Sequence, residues 1–405
     1  MTRTEERLAD ALGAVGRGVR EETLPPLPAR GPAPRPGRWG RWGRWLAPLA
    51  AAASVVLVVA VVSSVHLFSG PGRRDHAIGP PRYYATVQQG GIVIRATATG
   101  VVTGRVPNVP PGHGSSGRYA ISVAAADGGR AFFATFSGTT ASHIDKAWVY
   151  SFRLTSAGQV TGLAMVRGGV FSGLVSGNSM AVSPDGSKVA VVVFPSLIPS
   201  QGAKPAEIGV LDLATGTRTL WAGGLRNRGG FAATIPSVSW SADGRSLVFV
   251  SLWCNTGAFG SQYCAAGADY GQVRTLHLTP GGGRLSQGSV LLTDSRSYPD
   301  IIQARPGPGG KSLTVVVLSA RTVGLVNSEP LELRVTQIPL AGGRLGGGRP
   351  RLLYRGAVDG NDHVSLGSDA TGRYLILAWA RNGWIDHGRL RPLPPQGGVA
   401  FAEAW

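Results

Sequence analysis

The chain has 405 residues, a formal net charge of +18, 60 glycines, 28 prolines and only 15% charged residues. This composition argues against a protein built from long soluble helices and is typical of many short strands joined by turns. The excess positive charge indicates either a generally cationic surface or attraction to anionic partners such as lipid head groups, wall polymers or nucleic acid.

Residues 1–28 predict a short amphipathic helix. Thr4 is a candidate N-cap, and a stripe of apolar residues follows it at helical spacing, formed by Leu8, Leu12, Val15 and Val19. The proline cluster that begins at Pro25 ends the helix. A helix of this length cannot bury its stripe alone, so we expect the stripe to bind a cytoplasmic protein partner. A helix that lies on the membrane and an unpartnered tail are the alternatives.

Residues 46–68 predict a transmembrane helix. The segment contains no Asp, Glu, Lys or Arg and is long enough to cross the hydrocarbon core. Arginines are concentrated in the Pro/Arg-rich linker of residues 29–45, so the positive-inside rule places the N-terminus in the cytoplasm. A cleaved signal peptide is the alternative, although no clean cleavage site follows the apolar run. The sequence therefore predicts a single-pass protein of the cell membrane, with residues 69–405 outside the cytoplasm.

The two cysteines, Cys254 and Cys264, lie in one Gly-bearing loop, "CNTGAFGSQYC". An oxidising compartment permits a disulfide between them, and two unpaired thiols are the alternative. No second cysteine pair or nearby histidine completes a zinc site. The same extracytoplasmic location argues against nucleic acid as a partner.

A polar turn followed by an apolar strand recurs through residues 82–405, after a linker of residues 69–81. Its turn glycines are spaced 58 to 66 residues apart, at Gly128, Gly186, Gly244, Gly310 and Gly372. Each unit continues with a loop, a strand, a Gly-bearing hairpin turn and a last strand, which makes four antiparallel strands per unit. Four-stranded units at a steady period are typical of a β-propeller.

The five glycines mark five blades, and the strands within residues 82–106 mark another at the start. The C-terminal run "GGVAFAEAW" reads as a strand that completes the first blade and closes the ring. We therefore predict an all-β fold, a six-bladed β-propeller, behind the transmembrane and cytoplasmic helices. Seven blades are the main alternative, and a two-sheet sandwich gives no reason for a period near sixty.

The stretches "SPDGSKVAVVV" and "WSADGRSLVFVS" resemble the blade repeat of TolB-type and WD-repeat propellers. This resemblance covers residues 80–405 and is strongest in the third and fourth blades. The layout also resembles membrane-anchored propeller proteins of GC-rich bacteria, some of which accompany extracytoplasmic-function sigma factors. The resemblance implies a blade and no particular activity, because propellers serve both as binding modules and in enzymes.

No catalytic motif stands out in the outer domain, since neither G-x-S-x-G nor H-E-x-x-H occurs. The densest polar cluster comprises Asp359, Asn361, Asp362 and His363. Its spacing fits no EF-type calcium loop, so it reads as a hydrogen-bonded turn. His143 near Asp145, and Asp386 beside His387, are close neighbours of the kind that point to opposite faces of a strand. We therefore expect no enzymatic activity, no metal site and no cofactor.

Three long insertions fall between the second and third strands of their blades: "PSLIPSQGAKPAEI", the cysteine loop and "SARTVGLVNSEP". Corresponding loops of a propeller lie on one face, so these form a rim of the kind that binds ligands; neutral loop growth is the alternative. We predict a membrane-tethered binding or sensor module for a protein or envelope ligand, with anti-sigma-like signalling through the N-terminal helix. The alternatives are an extracytoplasmic lyase or hydrolase working in the central funnel, and a passive envelope scaffold.

Overall fold

The computed structural model describes residues 80–394 and 403–404. Within this range the gaps are residues 90, 109–116, 127–128, 140–144, 176–177, 195–205, 226–232, 255–267, 296, 299, 320–330, 359–363, 370–373, 379–382 and 387–388. Among the described residues, no helix has the length and apolar character needed to cross a membrane. The predicted amphipathic helix and the predicted span at 46–68 lie outside the described residues.

The described strands form six antiparallel sheets, each with four principal strands. The first blade contains β1 (Tyr83–Gln88), β2 (Gly91–Ala96) and β3 (Val102–Pro107), together with the C-terminal strand β25 (Glu403–Ala404). The second contains β4 (Tyr119–Ala126), β5 (Ala131–Thr139), β6 (Asp145–Leu154) and β7 (Val160–Ser172). The third contains β8 (Met180–Val182), β9 (Lys188–Val193), β10 (Glu207–Asp212) and β11 (Arg218–Ala222).

The remaining three blades repeat this order. The fourth contains β12 (Thr234–Trp240), β13 (Ser246–Cys254), β14 (Ala268–His277) and β15 (Ser289–Thr293). The fifth contains β16 (Ile301–Pro306), β17 (Ser312–Ser319), β18 (Leu331–Ala341), the short hairpin strand β19 (Arg344–Leu345) and β20 (Arg351–Val358). The sixth contains β21 (Ser365–Ser368), β22 (Leu375–Ala378), β23 (Gly383–Asp386) and β24 (Arg389–Pro392). The predicted six-bladed β-propeller is therefore confirmed.

The apolar second strand of each blade explains why the sheets assemble. In β9 the run "VAVVV" is fully buried, because both faces of the strand are covered by neighbouring sheets. Six clusters of buried residues follow from this arrangement, each drawn from two adjacent blades. Phe132 and Phe136 lie between the first and second blades, and Phe249 between the third and fourth. The core is thus a ring of inter-blade layers.

The C-terminal strand closes this ring. β25 pairs antiparallel with β1, where Ala404 lies opposite Ala85 and Glu403 opposite Thr86. It takes the innermost place of the first blade, which β4, β8, β12, β16 and β21 take in the others. Closure covers the edge of β1 that would otherwise be open to pairing.

The turns between first and second strands contain glycines with φ between 66° and 80°, at Gly129, Gly186, Gly244 and Gly310. In the second blade Gly129 has this conformation, and Gly128, which the sequence period marks, lies outside the described residues. Asp243 completes its turn by accepting hydrogen bonds from the Ser241 hydroxyl and the Arg245 amide, and these hold its pKa below the ordinary value. The Ser-x-Asp-Gly pattern is therefore a self-contained turn.

These turns lie on the same side as the hairpins between third and fourth strands. Backbone bonds join the two positions in four blades: Leu154 N to Arg130 O, Leu213 N to Ser187 O, Leu278 N to Arg245 O and Leu340 N to Lys311 O. We call this side the turn face. The opposite side, the loop face, carries the loops between second and third strands and the connections from blade to blade.

Candidate functional site: the loop face and the closed axis

The inner strands place a polar residue at one repeated position. Each polar residue lies seven positions before a positive-φ turn glycine in four blades: Ser122, Ser179, Ser237 and Gln303. Ser365 lies at the same distance from Gly372 of the sixth blade. All five residues are buried. The sequence analysis missed this pattern, although the constant offset from the turn glycine is a signal that could have found it.

Gln303 uses this position to pair the inner strand of the next blade. An inner strand has only one neighbour in its sheet, so its other edge leaves backbone groups unpaired. The Gln303 side chain donates to Val364 O at 2.9 Å and accepts from Leu366 N at 2.7 Å, which pairs the open edge of β21 as a neighbouring strand would. Ser239, two residues after Ser237, makes one such bond to β16, donating to Ala304 O at 3.0 Å.

A hydrogen bond across the axis closes the centre of the ring. Asn178, directly before β8 of the third blade, accepts from the hydroxyl of Ser365 in the sixth blade. Its amide also donates to Val364 O at 3.4 Å. The third and sixth blades stand opposite each other in a six-bladed ring, so these bonds span the axis. The third and sixth blades are therefore joined across the axis at this level.

The three long insertions emerge on the loop face. They leave the sheets after Val193, Cys254 and Ser319 and return at β10, β14 and β18, in three consecutive blades. Their own residues lie outside the described part of the chain. Cys254 ends β13, and Cys264 lies outside the described residues, so the disulfide stays a prediction.

The connection between the fourth and fifth blades places two carboxyl groups on the same face. Asp294 accepts hydrogen bonds from Gly271 N at 2.5 Å and Ile301 N at 3.1 Å. It thereby joins the third strand of one blade to the inner strand of the next, beside the base of the cysteine loop. A Cβ at Gly271 would lie 2.8 Å from Asp294 Oδ2, so the close approach requires glycine. Asp300 follows in the same connection, with a positive φ of 45°.

The surroundings of this connection favour protonation. Burial raises the pKa of Asp294 to about 6, the two backbone hydrogen bonds oppose this rise, and the nearby charge of Asp300 adds to it. Burial also raises the pKa of Asp300. Perturbed carboxyl groups of this kind are more frequent at functional positions than elsewhere. The sequence analysis missed both residues, whose only signal was "TDSRSYPD" ahead of an inner strand.

Replacing Asp294 by Asn should remove the pH dependence that this carboxyl group gives to the stability of the protein. An amide accepts one of the two backbone N–H groups and presents a donor to the other, at a cost of about 1–3 kcal/mol. The folded-state pKa lies above the unfolded value of about 4, so the wild-type chain loses stability as pH rises from about 4 to about 6. This loss should disappear in Asp294→Asn, as measured by urea unfolding across that range.

Asp212 provides the control for this prediction. Hydrogen bonds from Thr215 hold the pKa of Asp212 below the ordinary value. The stability that its ionised carboxylate contributes is therefore lost as the pH falls. Asp212→Asn should therefore remove a loss of stability at falling pH, whereas Asp294→Asn removes a loss at rising pH. An identical pH profile for wild type and Asp294→Asn would contradict the assignment of a raised pKa.

The other residues singled out in the sequence have structural partners or lie outside the described range. Asp145 accepts from the Thr139 hydroxyl at 2.9 Å, and Asp386 forms an ion pair with Arg391 at 3.0 Å. Outside the described residues lie Leu8, Leu12, Val15, Val19, His143, Asp359, Asn361, Asp362, His363 and His387. Within the described part of the chain, no three His, Cys, Asp or Glu side chains are grouped so that they could hold a metal ion.

Comparisons with known proteins show only distant likenesses. No family model and no curated protein matches the chain. Among solved structures, the chain is similar to Synechocystis apocarotenoid oxygenase at 12% identity and a TM-score of 0.42, covering 80% of this chain and 72% of that one. It is similar to a Lactobacillus plantarum protein at 15% identity and 0.38, covering 66% and 67%.

The Pyrococcus horikoshii acylaminoacyl peptidase matches at 14% identity and a TM-score of 0.38 over 68% of this chain. The chain covers only 39% of the peptidase. TM-scores this low do not support any inference about activity. The function is therefore inferred from the loop face.

Proposed function

We propose that the propeller is a binding module whose loop face contacts a protein or envelope ligand outside the cell. The observation that carries the proposal is the grouping of three long insertions and the Asp294–Asp300 connection on one face, beside an axis that is closed. The predicted helix at 46–68 holds the propeller at the membrane. Variable loops on a rigid scaffold are a common way to build a binding surface.

The proposal also includes the predicted cytoplasmic helix of residues 1–28. The apolar stripe of Leu8, Leu12, Val15 and Val19 binds a cytoplasmic regulator, in the manner of an anti-sigma protein. A short amphipathic helix gains its stability by laying this stripe into a partner's groove. Binding at the loop face would then bias the cytoplasmic contact.

The two halves can be tested separately on the full chain. Replacing residues 196–204 and 321–329 by short Gly/Ser linkers should abolish crosslinking of an outer partner, and Arg284→Glu on the turn face should leave it intact. Leu12→Asp with Val15→Asp should release the cytoplasmic partner, whereas Asp10→Ala with Arg17→Ala, on the opposite helix face, should not. Crosslinking followed by mass spectrometry measures both.

The outcomes separate the alternatives. An outer partner that survives loop replacement would contradict the loop face as the binding surface. If crosslinking of the cytoplasmic partner is unaffected by Leu12→Asp with Val15→Asp, the signalling part of the proposal is wrong. The chain would then be an envelope-binding or scaffold protein.

A further inference from the structure

The turn face carries a repeated positive charge. A basic residue lies directly before the second strand in several blades, and the described, exposed examples are Arg82, Arg130, Arg245 and Lys311. The sequence pattern places them at one position of the repeat, so they are distributed around the axis on a single side of the ring.

The fifth and sixth blades extend this charge outward. A two-glycine turn between β18 and β19 presents Arg344 and Leu345, and both side chains are exposed. Arg349 and Arg351 follow at the start of β20, and β24 lies beside β20. The turn face therefore combines cationic side chains with an exposed leucine, which is typical of surfaces that meet lipid head groups.

The carboxylates are distributed differently. On the turn face, the described carboxylates have local partners. Asp185, Asp212 and Asp243 accept hydrogen bonds within their own turns, Asp369 accepts from Tyr374 N, and Asp386 pairs with Arg391. On the loop face, carboxylates stand at the starts of strands or between blades, as with Glu207, Asp294 and Asp300. The two faces of the described propeller thus differ in charge, with the positive excess on the turn face.

The chain also enters the propeller on the turn face. Thr97 donates from its hydroxyl to Pro81 O at 2.6 Å and from its amide to Arg82 O at 2.9 Å. The second of these bonds occupies the position that joins turn and hairpin in the other blades. The predicted linker of residues 69–81 spans at most roughly 45 Å when extended. The predicted span is therefore tethered to the same face that carries the positive charge.

We propose that the turn face lies against anionic phospholipid head groups of the membrane that anchors the chain, so that the loop face points away from the bilayer. The inference rests on the proposed transmembrane tether and adds an orientation to it. The attraction is electrostatic, depends on acidic lipid and is screened by salt.

The test uses the full chain reconstituted in vesicles of phosphatidylcholine, with or without one third phosphatidylglycerol. Amide hydrogen exchange is followed in residues 340–351. Exchange there should be several-fold slower in acidic vesicles at low salt, and the difference should vanish at high salt. Arg344→Glu with Arg349→Glu should abolish it. Arg105→Glu with Lys146→Glu, an equal charge change at strand ends on the loop face, should not.

The outcomes distinguish this inference from the tether. Release of the chain by alkaline carbonate would overturn the tether, and the orientation with it. A chain that resists carbonate but exchanges equally in neutral and acidic vesicles would overturn the orientation alone. Hydrogen exchange that slows only when a soluble polyanion such as a wall polymer is added would also overturn the proposal. The polymer, and not lipid, would then be the partner of the turn face.

Discussion

A chain that ends at residue 402 should lose more than about 4 kcal/mol of unfolding free energy. The truncation removes β25, which fills the innermost place of the first blade and pairs with Ala85 and Thr86 of β1. Both of these residues are buried, so removal of the strand leaves their backbone groups without partners in the interior. The measurement is urea unfolding of the full chain and the truncated chain in the same detergent.

A chain that ends at residue 404 is the matched control, because it lacks Trp405 and keeps β25. It should unfold at a higher urea concentration than the chain that ends at residue 402. If the two truncated chains unfold together, the pairing of β25 with β1 does not contribute to stability, and the ring is held by the inter-blade clusters alone.

Gln303→Leu should lower the unfolding free energy by about 2–4 kcal/mol. Leucine has a similar volume, but it cannot pair with Val364 O and Leu366 N. Leu366 N would lose this buried bond, and Val364 O would keep the longer bond from Asn178 at 3.4 Å. The urea midpoint should fall while the slope of the transition stays constant, since the surface exposed on unfolding is unchanged.

Gln159→Leu provides the control for the chemical change itself. Gln159 is exposed in the hairpin before β7, so its replacement should change stability by less than about 0.5 kcal/mol. Equal midpoints for the two variants would contradict the role of the Gln303 amide as a substitute for a neighbouring strand.

Sequence reasoning predicted the blades well because the signals are local. The period of about sixty, the positive-φ glycine turns and the apolar second strands follow from neighbouring residues. The predicted closing strand at the C-terminus is confirmed in β25. The turn glycine that the sequence predicts for the second blade, Gly128, lies outside the described residues, and its neighbour Gly129 has a positive φ.

The candidate functional face could be predicted only in part. The insertion points of the three loops follow from strand order and agree with the strand ends observed. The Asp294 carboxyl could not be found this way, because its raised pKa depends on Gly271 and Ile301, which come from two different blades. Burial and hydrogen bonding of this kind are properties of the packed chain.

By itself, the sequence determined the repeated four-stranded unit and which strand of each unit is buried, since turn chemistry and hydrophobicity act over a few residues. Only the tertiary structure decided that Asn178 meets Ser365 across the axis. The reason is physical: inner strands keep one open edge, and the side chains that satisfy it come from other blades, far away along the chain.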